Sequence, residues 1–97
     1  MKVFLSQPMS GKEEQEILLE RAYVTDLLKE RLGEDIDILH TYYDGPEPPL
    51  CKLGKAIQAL SEADMVYFLP GWRDSRGCKI EYQCAMEYGL KCFELLV

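Results

Sequence analysis

Three features are scarce in this chain: long apolar runs, basic residues and histidine. No apolar run approaches the roughly 18 residues of a membrane-spanning helix, and the first residues lack the pattern of a secretory leader. We therefore expect a cytoplasmic protein with no membrane partner. Lys and Arg number 11 against 17 Asp and Glu, which gives a net charge of −6. This balance argues against a nucleic-acid polymer as partner, although a small anionic ligand remains compatible with it.

The sequence also lacks the spacing of a metal site. Its four cysteines include no C-x-x-C pair, and the single histidine, His40, is remote from all of them in sequence. A zinc site is therefore not supported, and we expect free thiols, no metal and no cofactor.

A length of 97 residues predicts a single domain over residues 1–97. The hydrophobic content of 47% is typical of a folded globular chain. A domain of this size hides only about 60–65% of its unfolded surface. Because association would add burial, we expect a homodimer or a higher homo-oligomer.

The first half of the chain predicts a strand, a helix and a second strand. The apolar run Lys2–Ser6 is typical of a central strand. Ser10 is the expected helix N-cap, with Glu13 as its capping-box partner, and Gly33 is the expected stop. The run from Asp35 to Leu39 predicts a second strand nearer the sheet edge.

The second half repeats this alternation. A helix is predicted from Leu50, followed by a buried strand over Met65–Leu69. A third helix then carries an apolar stripe, and residues 91–97 form a fourth strand. The stripe consists of Ile80, Cys84 and Tyr88. The order βαβαβαβ predicts an α/β domain, a small Rossmann-like three-layer fold with three helices and a four-stranded parallel sheet in the order 2-1-3-4.

In this topology the first and third strands end side by side. The loops Ser6–Lys12 and Pro70–Cys78 should then meet over one crevice, flanked by residues 40–44. Glu81 follows the second of these loops in the first turn of a helix. Two interpretations are open: an ordinary helix-start acid, favoured by the helix dipole, or a nucleophile or general base at the crevice.

A family resemblance favours the catalytic interpretation. The segment Ala63-Asp64-Met65-Val66-Tyr67, followed after a spacer by Gly77-Cys78-Lys79-Ile80-Glu81, resembles the signature of nucleoside 2-deoxyribosyltransferases and deoxynucleoside 5′-monophosphate N-glycosidases. The opening Phe4-Leu5-Ser6-Gln7-Pro8-Met9-Ser10-Gly11 is similar to their first strand and ligand-binding loop. The resemblance implies that Glu81 is the nucleophile in cleavage or transfer at an N-glycosidic bond. The substrate would be a nucleoside or its 5′-monophosphate.

The candidate site follows from this resemblance and from the predicted crevice. Its catalytic residue is Glu81. Its substrate-binding positions are Ser6, Gln7, Pro8, Met9, Ser10, Gly11, Asp44, Gly71, Trp72, Arg76 and Gly77.

One position departs from the family pattern. The resemblance implies an Asp on the second helix, eight residues before Asp64, that assists the leaving base, and Ala56 stands there. A proton donor would then have to come from a loop, at Asp44 or Asp74. Ala56 therefore keeps a second function class open, a nucleotide-binding sensor without turnover. A third and weaker alternative is an interaction subunit with a vestigial crevice.

Other residues admit two interpretations each. Arg73 and Arg76 either bind a 5′-phosphate or are solvated loop arginines. Tyr42, Tyr43 and Trp72 either stack on a nucleobase or pack at the surface. Asp64 either orients the start of its strand or contacts a ligand. Cys78, at a helix N-terminus, is either a reactive thiolate or a buried inert thiol.

Overall fold

A four-stranded parallel sheet in the order β2-β1-β3-β4 forms the centre of the protein, as predicted. The computed structural model describes residues 1–95. The strands are β1 (Lys2–Ser6), β2 (Asp37–Ile38), β3 (Met65–Phe68) and β4 (Lys91–Glu94). The helices within the described residues are α1 (Glu14–Leu32), α2 (Pro49–Leu60) and α3 (Arg76–Glu87), with a 3-10 turn at Trp72–Asp74. The predicted α/β class, strand order and number of helices are therefore confirmed.

The sheet carries a separate apolar cluster on each face, because successive side chains of a strand point to opposite sides. Phe4, Val66 and Phe68 face α2 and α3 and are almost fully buried there. On the opposite face, Val3 and Leu5 pack with residues of α1, including Val24 and Leu28. Both faces of the central strands β1 and β3 are thus covered by helices.

The register of β1 and β3 brings their carboxyl ends together. Ser6 pairs with Phe68, and the Leu69 amide donates a hydrogen bond to the Ser6 carbonyl at 2.9 Å. At the opposite end of the same strands, the Asp64 carboxylate accepts a hydrogen bond from the Lys2 amide at 2.7 Å. Asp64 therefore orients the start of its strand, at the end of the sheet away from the crevice.

Three local predictions are wrong or only partly right. Ser10 does not cap α1, because residues 9–12 close a turn of their own and the helix begins at Glu14. The second strand is shorter than Asp35–Leu39, since a turn precedes Asp37. The fourth strand ends at Glu94 within the described residues, and the last part of the prediction, Leu96 and Val97, lies outside them.

The buried face of α3 also differs from the prediction. Ile80 and Tyr88 are exposed, and the helix instead buries Cys78, Glu81 and Ala85. Cys84, the third residue of the predicted stripe, is half-buried against the core. The stripe is therefore only partly buried, while an acidic residue lies on the buried side. No helix within residues 1–95 is long and apolar enough to cross a membrane.

Candidate functional site

Glu81 lies on the buried side of α3, where it reaches the carboxyl end of β1. The Ser6 hydroxyl donates a hydrogen bond to Glu81 Oε1 at 2.6 Å, although the two residues lie 75 positions apart in sequence. Ser6 is fully buried and only 8% of Glu81 is exposed. The other carboxylate oxygen, Oε2, has no hydrogen-bond partner within residues 1–95. Glu81 is therefore held by one oxygen, at the carboxyl ends of the strands, where parallel α/β sheets bind ligands.

Burial changes the acidity of this carboxyl group. Removal from water raises the pKa of Glu81 to about 7, while the Ser6 hydrogen bond and the positive charge of Arg21 act in the opposite direction. Burial dominates because the carboxylate loses hydration when it is removed from water. The Ser6 hydrogen bond and the Arg21 charge replace only part of that lost stabilisation. The group therefore changes its charge near neutral pH. The structure also corrects the predicted position of Glu81: α3 begins at Arg76, so Glu81 lies in the second turn of the helix and not in the first. The ordinary interpretation, an exposed helix-start acid favoured by the helix dipole, therefore does not describe this buried residue.

The loops that follow β1 and β3 meet beside Glu81. Gly71 adopts a left-handed conformation with φ of 88°, and a Cβ placed on it would lie 3.7 Å from the Pro8 ring. The loop then enters α3 through Ser75, whose hydroxyl accepts a hydrogen bond from the Cys78 amide at 3.3 Å. The structure thus brings Ser6, Pro8 and Gly71 together with the helix that carries Glu81.

A second hydrogen-bond network lies at the same carboxyl ends of the strands, on the sheet face that carries α1. Arg21 is buried and donates from Nη1 to Gln7 Oε1 at 3.1 Å and from Nη2 to Thr41 Oγ1 at 2.8 Å. The same Nη2 also donates to the Leu39 carbonyl at 3.1 Å. Gln7 in turn donates from Nε2 to the Ile17 carbonyl at 2.9 Å. Arg21 therefore ties the loop after β1 to the loop after β2.

The sequence indicated this network only weakly. Arg21 occupies an apolar-stripe position of α1, one turn after Ile17 and before Val24. An arginine at such a position is a signal, because Arg is rarely buried unless it has hydrogen-bond partners. Thr41 had no comparable signal in the sequence.

Trp72 is buried among aromatic side chains. Its ring centroid lies 4.8 Å from those of Phe68 and Tyr82, and its Nε1 donates to Glu94 Oε1 at 2.8 Å. Arg73 stacks over the indole and pairs with the same Glu94 oxygen at 2.9 Å. Phe68, Trp72, Arg73 and Glu94 are among the residues that line a depression of about 370 Å³ beside the ends of β3 and β4. Trp72 is therefore held in the core by its aromatic neighbours and Glu94, while the Arg73 side chain is paired with Glu94 and largely exposed.

A larger depression, of about 540 Å³, lies on the outer surface of α1. Glu13, Glu14 and Leu18 are among its lining residues. Within the described chain, Glu81 lines neither this depression nor the one beside Trp72.

Several predicted binding positions lie at the rim or away from Glu81. Met9 is half-buried, while Ser10 and Gly11 form an exposed turn. Arg76 is exposed at the start of α3, and Gly77 faces Leu53 of α2. Asp44 is exposed and makes no hydrogen bond to Glu81 within residues 1–95.

Ala56, at the position where the resemblance implied an Asp, is a buried member of the core between the sheet, α2 and α3. Its surroundings include Phe4, Leu60 and Val66. An acid there would be surrounded by apolar side chains. Asp74 lies in the exposed 3-10 turn, and it too makes no hydrogen bond to Glu81 within the described residues.

Cys78 lies on the same buried face as Glu81. Burial raises the pKa of its thiol, hydrogen bonding to the Ser6 and Ser75 hydroxyls opposes this, and the Glu81 charge raises the pKa further. The group is therefore a protonated thiol at neutral pH, and nucleophilic chemistry requires the thiolate. The described residues contain no cluster of three or more His, Cys, Asp or Glu side chains able to hold a metal.

A search of curated proteins finds no match to this chain. A family model described as a domain of unknown function, DUF4406, matches residues 1–94. This match spans almost the whole sequence and includes the Ser6 loop, Arg21 and Glu81. The chain therefore belongs to the DUF4406 family.

Proposed function

We propose that the protein cleaves or transfers the N-glycosidic bond of a deoxynucleoside or its 5′-monophosphate, with Glu81 as the nucleophile. One observation carries this proposal: a buried carboxylate at the carboxyl end of the sheet is held by the Ser6 hydroxyl and has its pKa raised to about 7. The resemblance of the Gly77–Glu81 segment to nucleoside 2-deoxyribosyltransferases supports the same assignment.

The proposed reaction has two steps. In the first, ionised Glu81 attacks C1′ of the sugar, an ester bond forms, and the C1′–N bond breaks with its electron pair leaving on the base. The base takes up one proton from water or from a loop acid, for which Asp44 and Asp74 are the candidates. In the second step the oxygen of water or a ring nitrogen of another base attacks C1′ and gives up one proton to bulk water or to the loop carboxylate that supplied the first proton. The ester bond breaks with its electron pair returning to Glu81, which leaves as a carboxylate. Water gives hydrolysis, and a second base gives transfer.

The environment of Glu81 suits the first step. Its transition state resembles an oxocarbenium ion, and a carboxylate that is shielded from water stabilises this positive charge more strongly than an exposed one. Ser6 occupies one oxygen, and Oε2 is the oxygen without a partner in the described part of the chain. We therefore assign the attack on C1′ to Oε2.

Release of free base from a panel of deoxynucleosides and their 5′-monophosphates tests this function. We expect the wild-type chain to release base from at least one of them, and Glu81→Gln to lower the rate by at least about 10³-fold, because no nucleophile remains. The control is Glu87→Gln, an exposed acid on the same helix, which should leave the rate unchanged. Chromatography measures the base, and mass spectrometry detects the glycosyl ester. Equal rates of base release by Glu81→Gln and wild type would disprove the assignment of Glu81 as the nucleophile.

A second candidate function is nucleotide sensing without turnover. The buried apolar environment of Ala56 favours this function, because the acid that assists the leaving base in nucleoside 2-deoxyribosyltransferases has no equivalent at that position. Under this alternative a 5′-monophosphate would raise the Tm of the protein, and no base would appear in any reaction. The same panel of compounds therefore separates the two functions.

We also propose that two copies of the chain associate through one face of the sheet. This is the face that carries α1, and the contact lies on its β4 side. Tyr67 and Phe93 stack there with centroids 5.1 Å apart, and 43% of Phe93 is exposed. Tyr67 itself is half-buried against the α1-side core, so the surface left uncovered is at Phe93 on β4. Parallel sheets normally have both faces covered, so this exposed aromatic ring favours a second copy as its cover.

Light scattering after size exclusion tests this association. We expect wild type to have the mass of two chains and Phe93→Glu to have the mass of one, because a buried unpaired carboxylate opposes association. Tyr88→Glu, at a residue 85% exposed beside the end of α3, is the control and should keep the wild-type mass. A monomeric wild type would contradict the proposal, as would a Phe93→Glu variant with the wild-type mass.

A further inference from the structure

We propose that Arg21 is a positioning residue for Glu81: it holds the end of β1 between α1 and α3, and its charge favours the carboxylate form. The inference rests on the proposed function for its role in catalysis. The contacts that support it lie in the described chain and do not depend on any substrate.

The connection between the two residues passes through the end of β1. Ser6 and Gln7 are neighbours on an extended chain, so their side chains point to opposite faces of the sheet. Ser6 reaches Glu81 on the α3 side, and Gln7 reaches Arg21 on the α1 side. A shift of Gln7 would therefore move Ser6, whose 2.6 Å hydrogen bond is the one that Glu81 accepts from a side chain in the described residues.

The guanidinium is also unusual in its partners. Arg21 is buried, yet its hydrogen bonds within residues 1–95 go to neutral oxygens of Gln7, Leu39 and Thr41. It forms no ion pair within 4 Å in that part of the chain. Burial lowers the pKa of Arg21, and electrostatic interactions with Tyr43 and Glu81 raise it. A buried cation without a paired carboxylate is costly, and it stabilises a negative charge that develops nearby.

Other charged or titratable groups lie around Arg21 and Glu81. Their effects have to be distinguished from the effect of Arg21 on the ionisation of Glu81. Cys78 faces Glu81 from its own helix, and its thiol stays protonated near neutral pH. Tyr43 faces Arg21 from the loop after β2. Lys12, in the loop after β1, acts on Cys78 and pairs with Glu20 at 3.4 Å. Among these groups, Arg21 is the cation that acts on the Glu81 carboxylate.

The test is a titration of Glu81 by carbon NMR of the side-chain carboxyl group in the unliganded full chain. Comparison with Glu81→Gln assigns the signal. We expect the wild-type carboxyl group to titrate near pH 7, and the neutral variant Arg21→Met to move the midpoint upwards by roughly half a pH unit or more. Arg21→Lys keeps the charge and should stay close to the wild-type midpoint.

Thr41→Val is the matched control for structure. It removes one hydrogen bond of Arg21 and leaves the charge in place, so it should lower the Tm without moving the Glu81 midpoint. An unchanged midpoint in Arg21→Met would overturn the proposal, because Arg21 would then have only a structural role. An equal upward shift in Arg21→Lys and Arg21→Met would overturn it as well, because the charge would not be the cause.

A second measurement uses no Arg21 variant, in case Arg21→Met does not fold. The Arg21 side-chain NH resonance of the wild type should shift with a midpoint near pH 7, as Glu81 ionises, and this transition should be absent from Glu81→Gln. A resonance that does not respond in this range would contradict the coupling. Neither titration needs turnover, so failure of the proposed function would appear separately, as a lack of base release with the coupling intact.

Discussion

Glu81→Gln is expected to stabilise the folded chain at pH 8 by up to about 3 kcal/mol and to change its stability little at pH 4. The reason is that the pKa of Glu81 is about 7 in the folded chain, against 4.5 for an ordinary glutamate. The folded state therefore binds a proton that the unfolded state has lost between these two values. Stability from this group is fully present below pH 4.5 and is lost as the pH rises through about 7.

Urea denaturation of both proteins between pH 4 and pH 8 measures this difference, because charges elsewhere affect wild type and variant alike. For a domain of this size, the gain at pH 8 corresponds to an increase in Tm of up to roughly 15 °C. Glu87→Gln, on the exposed side of α3, should follow wild type over the whole range. A stability difference between wild type and Glu81→Gln that stays constant from pH 4 to pH 8 would show that Glu81 ionises as an ordinary acid.

Phe68→Ala is expected to destabilise the chain by about 3–5 kcal/mol, close to the total stability of a small domain. Only 1% of Phe68 is exposed, and its ring packs against Trp72 and Tyr82 at 4.8 and 5.4 Å between centroids. Truncation would leave a cavity beneath the turn that leads into α3. The loss therefore affects both the core and the segment that positions Glu81.

The matched control is Tyr23→Ala, at an aromatic residue of α1 that is 62% exposed. It should change the free energy of unfolding by no more than about 0.5 kcal/mol. Urea denaturation at a pH near 5 compares both variants with wild type, since Glu81 is protonated in the folded chain at this pH and its charge does not lower the stability there. A Phe68→Ala loss as small as that of Tyr23→Ala would mean that this aromatic cluster is not tightly packed.

Local patterns in the sequence predicted the strands and the helix end that frame the candidate site. The apolar run before Gln7 and the run from Met65 each gave a strand, and the α/β order placed the ends of these strands side by side. Glycine at position 33 marked the end of α1, where its φ of 114° is unfavourable for other residues. Glu81 was found in the same way, as an acid that follows a loop at the end of a central strand.

The errors arise where several local solutions have similar energies. Ser10 has the chemistry of an N-cap, but the turn closed by the Lys12 amide and the Met9 carbonyl leaves the helix to begin at Glu14. On α3 the apolar stripe through Ile80 competes with the face that carries Cys78, Glu81 and Ala85, of which Cys78 and Ala85 are small. The smaller residues allow the helix to approach the sheet, and their face is the one that is buried.

The sequence by itself determined the class of fold, the strand order and the position of one acid at the end of the sheet. These follow from hydrophobic runs and turn residues, which act over a few neighbouring positions. Only the tertiary structure decided that Glu81 is buried, that Ser6 binds it and that Arg21 joins Gln7 to Thr41. Those properties depend on contacts between residues up to 75 positions apart, and on the loss of water around a charge, which no local pattern encodes.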